Sequence, residues 1–210
     1  MTSDVGPAGV PTERGSNPRR RAPGRLAVVQ DLLNTVDFEK GTEVLANASA
    51  LVGWLRDRSL MTRSHTATGT DLRRAIALRE ALRSLLSMHN RAVGSDERTR
   101  ASAADALTEA AARSQLRLRF GPLGIAELET GALGVAGALG RLLATVYQAQ
   151  LDGSWSRLKV CRADECRWAF YDYSKNHTGT WCSMAVCGSR AKMRTYYRRL
   201  TESGRSDRQL

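Results

Sequence analysis

The chain has 210 residues, 42% of them hydrophobic, which is enough for one or two domains with apolar cores. Its formal net charge of +11 favours a polyanionic partner such as nucleic acid, or an anionic membrane surface. Residues 1–25 contain no apolar run of the length that a secretory signal needs, so we expect the chain to remain in the cytoplasm.

The first segment, residues 1–24, has the composition of a disordered basic tail. Four of the five prolines lie in it and apolar residues are few. Arg19, Arg20 and Arg21 form a basic cluster that could contact phosphates, although a solvated tail is the simpler interpretation. Residues 203–210 are expected to form a second flexible tail.

Residues 25–152 are predicted to form a mainly helical domain. Apolar residues recur at helical spacing in five segments, which are 26–36, 44–57, 70–91, 97–113 and 131–150. Gly94-Ser95-Asp96 separates the third helix from the fourth. In the fifth segment a glycine recurs at every third residue from Gly131 to Gly140, which indicates close helix packing because the lysine of a P-loop is absent. Arg141 interrupts the apolar run, so we expect no membrane span here.

Between the last two of these helices the pattern changes to that of a β-hairpin. Leu116–Phe120 alternates strictly between apolar and polar residues, which predicts a strand with one buried face. Gly121-Pro122-Leu123-Gly124 is a turn signal, and residues 125–129 are predicted to return as the second strand. The predicted fold class is therefore α+β, a mainly helical domain with a small hairpin.

All four cysteines of the chain lie within 27 residues, as the pairs Cys161-x4-Cys166 and Cys182-x4-Cys187. In a reducing cytoplasm such pairs hold a metal more often than they form disulfides. Zinc is bound by four tetrahedral ligands, and a site made entirely of cysteine leaves no position for substrate, so it is structural. We predict Zn on these four residues. Two disulfides, four unrelated thiols and an iron–sulfur cluster are the alternatives.

Residues 153–202 are predicted to form a treble-clef-like zinc finger. Arg157–Cys161 and Trp168–Tyr171 have the pattern of two strands joined by a turn, and residues 188–200 have that of a helix. We expect an apolar arc of this helix to pack on the hairpin; its members are Met193, Tyr196, Tyr197 and Leu200.

The outer side of the same helix is strongly basic. Arg190, Arg194 and Arg198 recur every fourth residue, and no Asp or Glu occurs from Tyr173 through Thr201. Because these charges have no acidic partner nearby in the sequence, a nucleic-acid backbone is the expected partner, with a merely solvated face as the alternative. The predicted nucleic-acid contacts are Arg190, Lys192, Arg194, Arg198, Arg199, Ser189 and Lys175.

Taken together, these motifs resemble those of the CGNR zinc-finger proteins. The resemblance is carried by Arg157-Leu-Lys-Val-Cys161, Cys166, Phe170-Tyr-Asp-Tyr-Ser174 and Trp181-Cys-Ser-Met-Ala-Val-Cys-Gly-Ser-Arg-Ala-Lys192. The upstream part is similar to the ABATE domain through Asp31-Leu-Leu-Asn-Thr35, Leu51-Val-Gly-Trp-Leu55 and Leu78-Arg-Glu-Ala-Leu82. Together the two cover nearly everything from Leu26 to Leu200.

The resemblance implies a bacterial transcription regulator whose finger binds DNA and whose first domain senses stress. It also implies that the four cysteines are zinc ligands. Gly188 and Arg190 match the tetrapeptide that names the finger, whereas Ser189 replaces its asparagine, so any base contact of that amide is in doubt. Serine at this position could still cap the start of the helix.

Other residues carry weaker signals. His177 could ligate metal or contact a phosphate, and Trp181 is expected to shield the metal, with base stacking as the alternative. We expect Asp172 and Ser174 to orient their loop through hydrogen bonds to the backbone. No catalytic set emerges from the sequence, and we expect the protein not to be an enzyme.

Three functions remain open. The protein could be a DNA-binding regulator, a sensor that holds a small-molecule effector in an apolar cleft of the first domain, or an interaction module whose basic helix docks on an acidic protein. A homodimer is compatible with each of them.

Overall fold

The computed structural model describes residues 20–62, 64–90 and 97–206, with side chains up to residue 200. The predicted break at Gly94-Ser95-Asp96, most of the first predicted tail and half of the second lie outside the described residues. Within residues 20–24, assigned above to the tail, Ala22 is buried and its N–H donates to Gln30 Oε1 at 2.6 Å, whereas Arg21, Pro23 and Gly24 are exposed. The last helix continues through Ser206, into the segment predicted to be flexible.

The described chain is mainly helical, as predicted. The α-helices are α1 (Leu26–Leu33), α2 (Ala48–Asp57), α3 (Gly69–Ser87), α4 (Glu97–Arg113), α5 (Gly134–Leu151) and α6 (Ser189–Ser206). α3 begins at Gly69, one residue before the start of the predicted segment 70–91, and its N-cap is Thr68. Thr68 forms a capping box with Asp71, in which each side chain accepts from the other residue's backbone N–H.

The strands pair only two by two, and the sheets are small. They are β1 (Val36–Asp37), β2 (Thr42–Glu43), β3 (Leu116–Phe120), β4 (Ala126–Thr130), β5 (Leu158–Val160) and β6 (Ala169–Tyr171). β1–β2, β3–β4 and β5–β6 are each antiparallel. The α+β prediction is confirmed, although the β1–β2 ladder was not predicted and ends the first helix at Leu33.

One apolar core joins the helices to the β5–β6 hairpin. Leu158 and Val160 on β5, and Ala169 and Tyr171 on β6, are buried in the same cluster as the helices. The residues of opposite parity face a second, smaller cluster around the cysteines. The hairpin therefore lies between two cores and contributes side chains to both, because successive side chains of a strand point to opposite faces.

Side chains of the helical part also satisfy the outer edges of this hairpin. Asn34 brackets Ala169, donating to its carbonyl at 2.9 Å and accepting from its N–H at 2.8 Å. On the other edge His89 Nδ1 lies 2.8 Å from the Leu158 carbonyl, and Asn90 donates to the Val160 carbonyl. These bonds replace the neighbouring strands that the hairpin lacks.

The β3–β4 hairpin forms where the sequence predicts it, but the prediction of a buried face is wrong. Leu118 and Phe120, on the apolar face of β3, are 61% and 66% exposed. Only the outer part of this face lies open, because Leu116 at its base is partly buried against the core. The charged face carries an ion pair between Arg119 and Glu129 at 2.5 Å.

The glycines of α5 serve close packing, as predicted. A Cβ on Gly140 would lie 2.6 Å from the Cβ of Ser114, and a Cβ on Gly137 would lie 2.3 Å from the Ala132 carbonyl oxygen. Across the described residues, no helix combines the length and the apolar character that a membrane crossing requires.

Candidate metal centre and basic helix

The four cysteines converge on one point. Their sulfur atoms all lie within 4.8 Å of one another, with 3.6 Å between Cys166 and Cys182 and 3.7 Å between Cys182 and Cys187. A disulfide would need about 2.05 Å, whereas a tetrahedron of zinc–sulfur bonds of about 2.3 Å has edges of about 3.8 Å. The geometry fits a single zinc ion, and the predicted ligand set is brought together.

Two short backbone motifs present these thiols. Cys161 directly follows β5, and Cys166 lies in the turn to β6, where its N–H donates to the Ala163 carbonyl at 2.9 Å. Cys187 lies in a single π-helical turn, Met184–Gly188, that leads directly into α6. Because the knuckle and the helix start share one ion, the metal fixes the position from which α6 leaves the body.

The protonation of the cluster favours a cation at its centre. Hydrogen bonds from Cys166 and Cys182 hold the pKa of the Cys161 thiol well below its usual range. Burial and the nearby Cys161 and Cys166 sulfurs raise the pKa of Cys187 to about 12. Without a cation, one thiolate therefore suppresses ionisation of its neighbour, and a divalent ion would stabilise all four thiolates together.

A buried ion pair shapes the loop between the two cysteine pairs. Lys159 is 2% exposed on its side chain, and its Nζ lies 2.7 Å from Asp172 Oδ2. The carboxylate also accepts from the N–H groups of Ser174 and Gly179, at 3.0 and 2.7 Å. Hydrogen bonds from Lys159 and Ser174 outweigh burial and hold the pKa of Asp172 below its usual range.

This pair both confirms and extends the sequence prediction. Asp172 orients the loop through backbone hydrogen bonds as expected, with Ser174 contributing its own N–H and its hydroxyl, which accepts from Thr178 N–H at 3.2 Å. Lys159 was missed. Its signal was a lysine at the centre of an otherwise apolar strand, where an unpaired charge would be costly.

The helix α6 projects from the metal centre with most of its surface exposed. The predicted packing of its apolar arc on the hairpin is wrong, since Met193, Tyr196, Tyr197 and Leu200 are 50–59% exposed. Ala191 and Thr195 are partly buried instead. The face of α6 that contacts the rest of the protein is therefore formed by these two small side chains. The arc that contains the two tyrosines faces outward.

The basic residues predicted to contact nucleic acid are exposed, but two of them have acidic partners. Arg190 Nη1 lies 3.0 Å from Glu39 Oε1, and Arg194 Nη1 lies 3.5 Å from Glu165 Oε1. The basic face therefore has acidic neighbours in space, although it has none nearby in the sequence. Both glutamates lie outside residues 173–201, and Glu39 is 151 residues away from its partner.

A groove lies between the first turns of α6 and the metal knuckle. Its volume is about 500 Å³, and it is lined by Arg162, Trp181, Ala191, Arg194, Thr195 and Arg198. The groove thus combines three guanidinium groups with an indole and a hydroxyl. Arg162 was not among the predicted contacts, because its position between Cys161 and Cys166 in the sequence does not by itself place it beside α6.

The remaining predicted residues lie around this surface. Lys175 is exposed in the loop between the cysteine pairs, as is the side chain of His177, which lies outside the metal cluster. Ser189 does not cap the helix, because its hydroxyl donates to the Met184 carbonyl at 3.2 Å. The capping serine is Ser183, whose hydroxyl accepts from the Val186 N–H at 3.3 Å.

Comparison with known families agrees with this division of the chain. The ABATE model, described as "Putative stress-induced transcription regulator", matches residues 26–152, and the CGNR zinc finger model matches residues 157–200. No curated protein gives a significant match. Since the ABATE match alone spans more than half of the chain, the protein belongs to the ABATE family and carries a CGNR zinc finger after that domain.

Proposed function

We propose that the protein is a cytoplasmic, DNA-binding transcription regulator in which zinc holds the basic helix α6 against the DNA backbone. The observation that supports this most directly is the groove beside the metal knuckle, where Arg162, Arg194 and Arg198 surround a volume of about 500 Å³. That space accommodates a phosphate, and guanidinium groups bind phosphate oxygens in a bidentate manner.

The acidic partners of α6 do not oppose this proposal. Arg190 and Arg194 are more than half exposed in their pairs with Glu39 and Glu165. Exposed pairs of this kind contribute only about 0–1 kcal/mol, so exchanging a glutamate for a phosphate costs little. Counterion release from the duplex then provides the driving force.

Sequence recognition requires contacts beyond the phosphates. Arginine to guanine is the usual base contact in the major groove. Arg199 lies further along α6, and we assign a base-edge contact to it, while Arg194 and Arg198 in the groove, together with Lys192, Ser189 and Lys175, contact the phosphate backbone.

The salt dependence of binding tests this assignment. Arg194→Ala combined with Arg198→Ala should weaken binding to mixed-sequence duplex DNA and reduce the slope of log Kd against log salt by about 2, the value for two lost phosphate contacts. The measurement is fluorescence anisotropy of the full chain, loaded with zinc, across a salt series.

A matched control removes the same charge from another surface. Arg98→Ala combined with Arg100→Ala changes two exposed arginines at the start of α4. This variant should keep the unmutated slope. Equal slopes for the two double variants, or an unchanged slope for the α6 variant, would show that α6 is not the DNA-binding face.

We propose in addition that the ABATE domain is the sensor and binds a small-molecule effector. A cleft of about 420 Å³ lies between α3, α4 and α5, with Leu78, Ala110, Val135 and Leu139 among its apolar lining residues. Apolar clefts with a few polar groups are the usual form of small-molecule sites. A compound that raises the unfolding temperature should lose this effect in Ala110→Phe, which fills the cleft, and keep it in Ala104→Phe, which changes the exposed side of α4. A compound that acts equally on both variants does not bind in the cleft.

A further inference from the structure

The outer part of the β3–β4 hairpin has an exposed apolar face, whereas Leu116 at its base packs against the core. Leu118 and Phe120 lie on one side of β3, and Leu123 at the turn is 85% exposed. Their register neighbours on the same face of β4 are Ala126 and Leu128. An isolated two-stranded hairpin is marginally stable in water, so this face is suited to being covered.

The edges of the hairpin are open as well. The N–H of Gly131 donates to Gln115 and that of Gly121 donates to Ile125, so the hydrogen-bonded pairs are those of odd number, such as Arg117 with Glu129. The N–H and C=O groups of Leu116, Leu118 and Phe120 therefore point away from β4. Within the described residues no third strand pairs with either edge, and open edges are where strands meet other chains.

The chain itself has little to offer as a cover. Outside the described residues, the large apolar side chains are Met1, Val5, Val10, Val93 and Leu210. They are single aliphatic residues among Gly, Pro, Ser and charged neighbours. They do not match a face of leucine and phenylalanine, so we consider a second molecule as its cover.

The charge of the hairpin favours a second copy of this chain as the covering molecule. The polar face of the hairpin carries Arg117 and Arg119 opposite Glu129 and Glu127, so the ribbon is neutral within a chain of +11. Two copies can meet here with little electrostatic repulsion. A second exposed apolar surface, on α6, lies among five cations, and pairing it with its own copy would bring ten together.

We propose that a second copy of this chain covers the apolar face of the β3–β4 hairpin, forming a symmetric dimer through Leu118, Phe120 and Leu123. A surface that is apolar, neutral and open fits its own copy in an isologous contact. Only a few large apolar residues take part, against roughly 20–30 residues per side in a standard interface, so the dimer dissociates on dilution. Such a dimer carries two fingers and matches a two-fold symmetric DNA site.

Sedimentation equilibrium of the full, zinc-loaded chain without DNA tests the dimer independently of DNA binding. The apparent mass of the unmutated chain should rise with concentration from 23.0 kDa towards twice that value. Leu118→Ser combined with Phe120→Ser should remain at 23.0 kDa over the same range. Because both side chains are exposed, the unfolding temperature of the dilute variant should match that of the dilute unmutated chain.

Met193→Ser combined with Leu200→Ser is the control, since it removes two half-exposed apolar side chains from α6. This variant should still dimerise. A monomer at every concentration in the unmutated chain would overturn the proposal and leave the face to a different apolar partner. Association that survives the hairpin variant, or is lost in the α6 variant alone, would overturn it too.

Discussion

Two hairpins in this molecule have similar sequence patterns and opposite surroundings. In β5 and in β3 an apolar residue alternates with a basic one, as in Leu158-Lys159-Val160 and Leu116–Phe120. β5–β6 is buried on both faces, and side chains of the helical part satisfy its edges. Beyond Leu116 at its base, which packs against the core, the apolar face of β3–β4 is exposed, and no described strand pairs with its edges.

The difference shows what alternation determines and what it leaves open. Alternation assigns the side chains of a strand to two faces. It does not say what lies over each face, because the cover comes from residues far away in the chain. Strand length does not decide it either, since the enclosed strands have three residues and the exposed ones five.

Removing the metal should have the largest effect and should act on only one of the two hairpins. Cys182→Ser removes one ligand, and zinc contributes about 10–16 kcal/mol to the folding of small zinc fingers. We expect metal analysis to fall from one zinc per chain to nearly none. Hydrogen exchange should then increase in β5–β6 and in the helices that share its core, while β3–β4 changes little.

Ser183→Ala serves as the control for this change. It removes the cap beside Cys182, at a cost of about 1 kcal/mol, and should retain the metal. A full zinc content in Cys182→Ser, or none in the unmutated chain, would contradict the single four-cysteine site.

Two leucine substitutions compare the covered face of β5 directly with the exposed face of β3. Leu158→Ala should lower the free energy of unfolding by about 2–5 kcal/mol, because it opens a cavity in a packed core. Leu118→Ala should change it by no more than about 0.5 kcal/mol in the monomer. Urea denaturation of the dilute chain measures both, and similar losses would mean that β3–β4 is already covered within one chain.

The smallest of these effects concerns the edges. Asn34→Ala leaves the N–H of Ala169 without its partner, which costs about 1–3 kcal/mol for a buried donor. Hydrogen exchange of the Ala169 amide should accelerate by the factor that corresponds to this loss of free energy. Asn176→Ala, in the exposed loop, should stay within about 0.5 kcal/mol of the unmutated chain; equal losses in the two variants would show that the bracket of Asn34 around Ala169 contributes nothing.

Local patterns in the sequence were sufficient for the α-helices, for two of the three described hairpins and for the metal ligands. Helices follow from apolar spacing, and the four thiols follow from their clustering within one segment. Asn34 and Arg79 even lie in the motifs that carried the resemblance to the ABATE domain. Arg79 binds Thr35 and Glu43 inside the helical part, at 2.8 and 2.7 Å.

Contacts across long stretches of chain could not be predicted in this way. Nothing near Arg190 in the sequence indicates that Glu39 will lie beside it, and nothing near Lys159 fixes Asp172 as its partner until the strand and loop are built. The prediction that the apolar arc of α6 packs on the hairpin is wrong for a related reason. Periodicity finds the arc, but only the position of the helix start, set by the metal, decides whether the arc meets the body.

The shared hairpin bears on how such a protein can be recombined. The two family matches are separated at residues 153–156, yet Trp155 is buried there and the apolar core runs on through Tyr171. If the finger were transplanted alone, Leu158 and Val160 would lose the core that covers them. In the helices left behind, Asn34 and Asn90 would lose the backbone groups that they bind. Chimaeras between relatives should therefore fold only when the finger is exchanged together with the helices that contact it.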